Sequence, residues 1–172
     1  QLLFDGKQKE AEALAMKEFM SVPLRQMAYQ PFGDVRLQFP GHEKVEDYRR
    51  ELNLDEAVAR TSYRVGDVRF EREVIASAPD NVIAIRITSD KPGQLTFDAS
   101  LGSPHTNHKV TADAKNELIL TGRVRNAHNG ATNTNPLRFE ARLQVRAEGG
   151  AVTQNGNSLS VSNANAVTLI LV

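Results

Sequence analysis

"LRFEARLQVRAE", residues 137–148, decides the fold class. Leu137, Phe139, Ala141, Leu143, Val145 and Ala147 alternate with Arg138, Glu140, Arg142, Gln144, Arg146 and Glu148. A period of two sends successive side chains to opposite faces of an extended chain. One face therefore lies in a core and the other in water, as in a half-buried antiparallel sheet. "GQLTFDASL", residues 93–101, repeats the pattern with Leu95, Phe97, Ala99 and Leu101 pointing inward.

Working outward from these two, further strands are expected near 33–39, 46–54, 57–65, 68–77, 82–89, 117–124, 158–162 and 166–172. Short turn signals separate them: Gly66-Asp67, Pro79-Asp80-Asn81, Lys91-Pro92-Gly93, Gly149-Gly150 and Asn155-Gly156-Asn157. "GSPHTNHKV" (102–110) and "NAHNGATNTNP" (126–136) are polar and Asn-rich, and read as surface loops. Ahead of all this, "KQKEAEALAMKEFM" (7–20) places Ala11, Leu14, Ala15 and Phe19 on one face at helical spacing, and Pro23 stops it. The sum is a mainly β protein: an antiparallel β-sandwich, or a larger super-sandwich variant, with one N-terminal amphipathic helix that packs on a sheet. It forms a single domain over 1–172, with the helix at about 7–20 and strands from about 33 to 172.

Of the 172 residues, 40% are hydrophobic and 24% charged, which is ordinary for a globular domain. Lys plus Arg and Asp plus Glu balance at 21 each, so there is no net field to recruit nucleic acid or an anionic membrane. No apolar run approaches the roughly 18 residues of a membrane span. Cysteine is absent, which removes disulfides, thiolate metal sites and a cysteine nucleophile together. The chain opens on Gln1 and ends on the apolar "AVTLILV", which reads as a domain cut at both ends.

His105 and His108, with Asp113 nearby, could be written as a metal site, but loop spacing fixes no geometry; a polar loop is the plainer reading, and no metal or cofactor is expected. Glycosidase chemistry usually needs two carboxyl groups roughly 5–10 Å apart. Asp34, Glu43, Glu46, Asp47, Glu51 and Asp55 offer candidates, although a charged solvent face and turns account for most of them. Ser62, Ser77 and Ser103 lack a nucleophile elbow, and the glycines form no phosphate loop. In "DYRREL" Arg50 is read as turned inward against a carboxylate. A free-standing sugar-binding module would show a platform of exposed aromatics. Trp is absent, and Tyr29 and Tyr48 are the rings expected in solvent.

"YQPFGDVRL" (29–37), "DYRRELNLDEAVA" (47–59), "FEREVIASAPDNVIAIRI" (70–87) and "SPH" (103–105) occur in the order seen in the N-terminal β-sandwich domain of glycoside hydrolase family 95, the bacterial and plant α-L-fucosidases. The helix and the following "PLRQMAYQP" (23–31) agree, so the chain resembles that domain over nearly its whole length. The resemblance implies a large parent enzyme: a sandwich, a helical linker, an (α/α)6 barrel and a small C-terminal β-domain. It also implies inverting hydrolysis of terminal α-L-fucose, or L-galactose in some members, by a Glu acid and an Asp/Asn-assisted water held in the barrel. No catalytic residue transfers to this chain. The partners implied are the catalytic domain of the same polypeptide and, through it, a fucosylated glycan; the setting implied is periplasmic or secreted. Members of the family carry two or three strands before the helix, so an incomplete domain is expected here, and its open sheet edges invite self-association. Gln30–Leu37 and the Pro40-Gly41-His42 turn are expected to face the barrel. Tyr29, Asp34 and His105 are the residues expected at that interface or pocket rim. A stand-alone carbohydrate-binding module is the alternative.

Overall fold

The computed structural model describes residues 1–21, 30–124 and 137–172. Among these residues are one helix, α1 (Gln8–Glu18), and twelve strands: β1 (Asp34–Gln38), β2 (Glu46–Asn53), β3 (Val58–Val65), β4 (Val68–Ser77), β5 (Val82–Ser89), β6 (Leu95–Gly102), β7 (His108–Asp113), β8 (Glu117–Arg123), β9 (Arg138–Glu148), β10 (Ala151–Asn155), β11 (Ser158–Ala164) and β12 (Ala166–Leu171). The strands form a four-stranded sheet, β1-β6-β11-β10, and an eight-stranded sheet, β2-β3-β4-β5-β12-β9-β8-β7. Within both sheets every described pair is antiparallel. The expected mainly β, two-sheet architecture is what the chain adopts.

The core lies between the inner faces of the two sheets. Leu95, Phe97 and Ala99 of β6 and Leu159 and Val161 of β11 meet Leu118, Leu143, Val145, Val167 and Leu169 of the larger sheet, all essentially inaccessible to water. Along β9 the period-two reading holds from Phe139 to Ala147. Leu137 departs from it: it stands ahead of the first paired residue of the strand and is 72% exposed.

Each turn signal falls between consecutive strands. Gly149 and Gly150 (φ 70° and 66°) supply two successive positive φ values where the chain leaves β9 in the larger sheet and enters β10 in the smaller one. At Gly150 a side chain is excluded outright, since a Cβ would come 2.2 Å from the Ser162 carbonyl oxygen. Two strands escaped the sequence reading. The stretch read as a polar loop contains β7 from His108 onward, and "AVTQN" forms β10. Both are sheet edges, where strands are short and polar and the apolar alternation that betrays a central strand is missing. The expected loop at 126–136 lies outside the described residues.

The N-terminal stretch belongs to a separate compact unit. Its helix is shorter than the expected 7–20, closing with the Phe19 N–H donating to the Ala15 carbonyl oxygen at 2.9 Å. None of the helix residues is buried.

The Pro-Gly-His segment is a corner between sheets. Pro40 and Gly41 occupy the central positions of a turn closed by His42 N–H donating to the Phe39 oxygen at 3.4 Å. Gly41 has φ 83°, the positive value that a Pro-Gly type II turn requires. The chain thereby leaves β1 in the small sheet and enters β2 in the large one. There β2 is bulged between Glu46 and Arg49, with Asp47 at φ 51°, and charged residues line this edge of the sheet. A bulge and charges at an edge oppose strand addition.

Candidate functional site

The eight-stranded sheet is twice as wide as the sheet packed on it, and at its β2 end the inner face extends beyond cover. Register fixes which side chains stand there. Arg50 pairs with Thr61 and Thr61 with Arg72, while Leu52 pairs with Ala59 and Ala59 with Val74. These two rungs form the floor of an open groove of about 1010 Å³, walled by Leu37 and Phe39 and by His42 and Val45 of the corner. Leu52, on the floor, is 63% exposed, whereas apolar residues under the small sheet are sealed.

One wall is a cluster of rings. Phe39 stacks on Phe97 at 4.7 Å, His42 sits 4.5 Å from Phe70, and Tyr63 stacks on Phe70 at 5.5 Å. His42 Nδ1 and the Tyr63 hydroxyl share a hydrogen bond of 3.0 Å. Burial holds the Tyr63 hydroxyl above the usual phenol range, with Arg72 opposing. Arg72 lies over the Phe39 ring at 5.3 Å, a cation–π contact.

His42 is held below the ordinary imidazole value, first by burial; Glu43 opposes the shift and Arg72 reinforces it. The unfolded chain therefore binds a proton at His42 more readily than the folded one in the window below about 6.5. Stability contributed at this site is intact above that value and declines as the pH falls below it. Urea midpoints at about pH 7.5 and about pH 5.5 check this: the drop between them should be smaller in His42→Asn than in the parent chain. An equal drop would remove His42 as a titrating group.

Asp34 opens β1 and pairs with Arg36 at 3.5 Å, on the surface. Behind it Gly33 approaches Gly102 so closely that a Cβ would stand 2.5 Å from the Gly102 oxygen, and the Ser103 hydroxyl donates to the Phe32 oxygen at 2.8 Å. The "PFGD" and "SPH" phrases thus fasten one strand end to another. His105 is buried at 5% exposure, with its ring 5.3 Å from Phe139. Because a carbonyl only accepts, His108 Nδ1 donates to the His105 oxygen at 2.5 Å. Among the described residues no group of three or more His, Cys, Asp or Glu side chains could hold a metal ion. Tyr29 lies outside the described residues.

The carboxylates from 34 to 55 are spread over several jobs. Glu51 binds Arg49 at 2.5 Å, Glu43 accepts from the Gly41 N–H at 3.3 Å, and Asp55 sits in a turn capped by the Asn53 side chain at 3.0 Å. Arg50 faces inward as its parity requires, but no carboxylate meets it among the described residues; its neighbour Arg49 takes Glu51 on the other face. Tyr48 is exposed as expected, and so are Phe4, Phe19 and Phe32. Sequence reasoning passed over Arg72. Its signal was present: in "FEREVIAS" it shares parity with Phe70, Val74 and Ala76, a charge on an otherwise apolar face.

The fold and groove define a two-sheet antiparallel β-domain with a cationic, ring-lined recess at one end of its larger sheet. All of residues 1–172 match the family described as glycosyl hydrolase family 65, N-terminal domain, and the chain belongs to that family. It is 38% identical over 161 residues to "Alpha-L-fucosidase 2" of Arabidopsis thaliana, covering 83% of this chain and 19% of that protein. It is 32% identical over 130 residues to "Probable alpha-fucosidase A" of Aspergillus niger, covering 69% of this chain and 16% of that protein. The chain spans less than a fifth of the length of either relative. Among the described residues no helix is long and apolar enough to cross a membrane.

Proposed function

We propose that this chain is the N-terminal domain of an α-L-fucosidase of the family 95 type, and that it acts by docking on a catalytic (α/α)6 barrel elsewhere in the same polypeptide. One observation carries the reading: a family of N-terminal domains accounts for the whole chain, while the fucosidase relatives are several times longer. Hydrolysis of terminal α-L-fucosyl linkages then belongs to the whole enzyme, and the fucosylated glycan is its substrate. An apolar recess of about 360 Å³ supports the docking role. Phe32, Ala76, Ile83, Ala141, Leu171 and Val172 line it where the larger sheet runs past the smaller one. Apolar surface of this kind marks interaction sites. Asp34 opens β1, and with His105 it is proposed for the rim of that interface; Tyr29, proposed with them from the sequence, lies outside the described residues.

The test is to produce this chain and the remainder of the polypeptide separately, mix them, and follow them by size exclusion. Co-elution as a one-to-one complex is expected. Independent elution at micromolar concentration, with glycan binding by this chain alone, would favour a stand-alone carbohydrate-binding module instead.

A further inference from the structure

We propose that the groove floored by β2, β3 and β4 binds a saccharide that carries a carboxylate, with Arg50 and Arg72 holding the acid and the ring wall receiving the sugar face. This goes beyond the docking role and stands or falls separately from it.

The two guanidinium groups start from one rung of the sheet, Arg50 and Arg72 flanking Thr61 on the same face. Strands lie about 4.8 Å apart, so their Cα atoms are about 10 Å from each other. Long side chains from that separation can converge on one carboxylate above the Thr61 hydroxyl. Neither side chain forms an ion pair with a described residue. The other arginine lining the groove, Arg60, is by contrast committed to Glu56 at 2.8 Å and Glu73 at 2.7 Å. The Nε of Arg72 is buried and makes no hydrogen bond with a described residue, so the side chain is not held by a protein acceptor there.

Charge of the opposite sign is scarce in the groove. Glu51 is occupied by Arg49, and Glu43, beside His42 at the corner, bonds the Gly41 N–H. Arginine favours carboxylate geometry because its fork of donors matches the two oxygens. The lining suits a sugar: Tyr48, 56% exposed, offers a ring to the apolar C–H surface of a pyranose, and Phe39, His42 and the buried Tyr63 form a packed aromatic wall. The volume of about 1010 Å³ stands at the upper end of small-molecule sites and admits a short oligosaccharide. With no net charge on the chain and only Arg50 and Arg72 in the recess without an ion pair to a described residue, the site does not fit a polyanion such as nucleic acid.

Calorimetric titration of this chain with α-1,4-linked trigalacturonate and with its methyl ester tests the assignment. The acid should bind, and the ester, which keeps the sugar but loses the charge, should bind at least about ten-fold more weakly. Arg72→Ala should cost about ten-fold or more, and Arg72→Lys should not restore the loss, because an ammonium lacks the fork. Arg50→Ala, an exposed position whose replacement leaves the fold intact, should weaken the acid in the same sense and so guards against misfolding of the Arg72 variants. Equal binding of acid and ester, or no binding of either, overturns the proposal. Tighter binding of an oligoglutamate peptide than of trigalacturonate overturns it in favour of a protein partner.

Discussion

Replacing Phe97 by alanine should lower the unfolding free energy of this chain by about 3–5 kcal/mol, measured by urea denaturation followed with far-UV circular dichroism. Phe97 is 1% exposed and sits on β6, with β1 on one side and β11 on the other. It meets Val161 across the β6–β11 ladder and stacks on Phe39 at 4.7 Å, which ties the corner into the core. Truncation removes transfer free energy and leaves a cavity that rigid neighbours on two sheets cannot close. Domains are stable by about 5–15 kcal/mol, so the loss is a large share of the total. The control is Leu52→Ala on the groove floor, where 63% exposure leaves little to lose and a change within about 0.5 kcal/mol is expected. A Phe97→Ala cost under about 1 kcal/mol would mean that the two sheets are not sealed at this point.

The central strands were legible because each sits between two others under a covering sheet, which forces a strict apolar alternation; β6 and β9 show it in full. The edges β7 and β10 were not, since an edge strand has less to bury and keeps few apolar positions. The burial of His105 was not legible: its polar loop reads as surface, yet its ring packs 5.3 Å from Phe139. That contact joins residues far apart in the chain and leaves no local trace. The groove was half legible. Parity placed Arg50 on an inner face, and the same signal for Arg72 went unread; which stretch of inner face stays uncovered depends on the unequal widths of the sheets, and these emerge only from the strand order. The Pro40-Gly41 corner could be read as a turn, whereas its passage between sheets could not.

The largest effect expected of the whole account is on catalysis. If the chemistry lies in a barrel outside these residues, the chain by itself supplies none of the transition-state stabilisation that separates an enzyme from water, commonly a factor of about a million or more. The carboxylates from Asp34 to Asp55 should then be replaceable without any effect on turnover beyond what folding or docking imposes. Glu51 and Asp34 already serve arginines, Glu43 serves a turn, and Asp55 lies in a turn that its backbone N–H, not its carboxylate, helps to close. The most direct measurement is hydrolysis of an aryl α-L-fucoside by this chain and by the full-length protein, side by side under one set of conditions. The account predicts turnover by the full-length protein and, for the chain alone, release no faster than in buffer. Turnover by the chain at a rate near that of the full-length protein would contradict it and place the reaction among the residues described above.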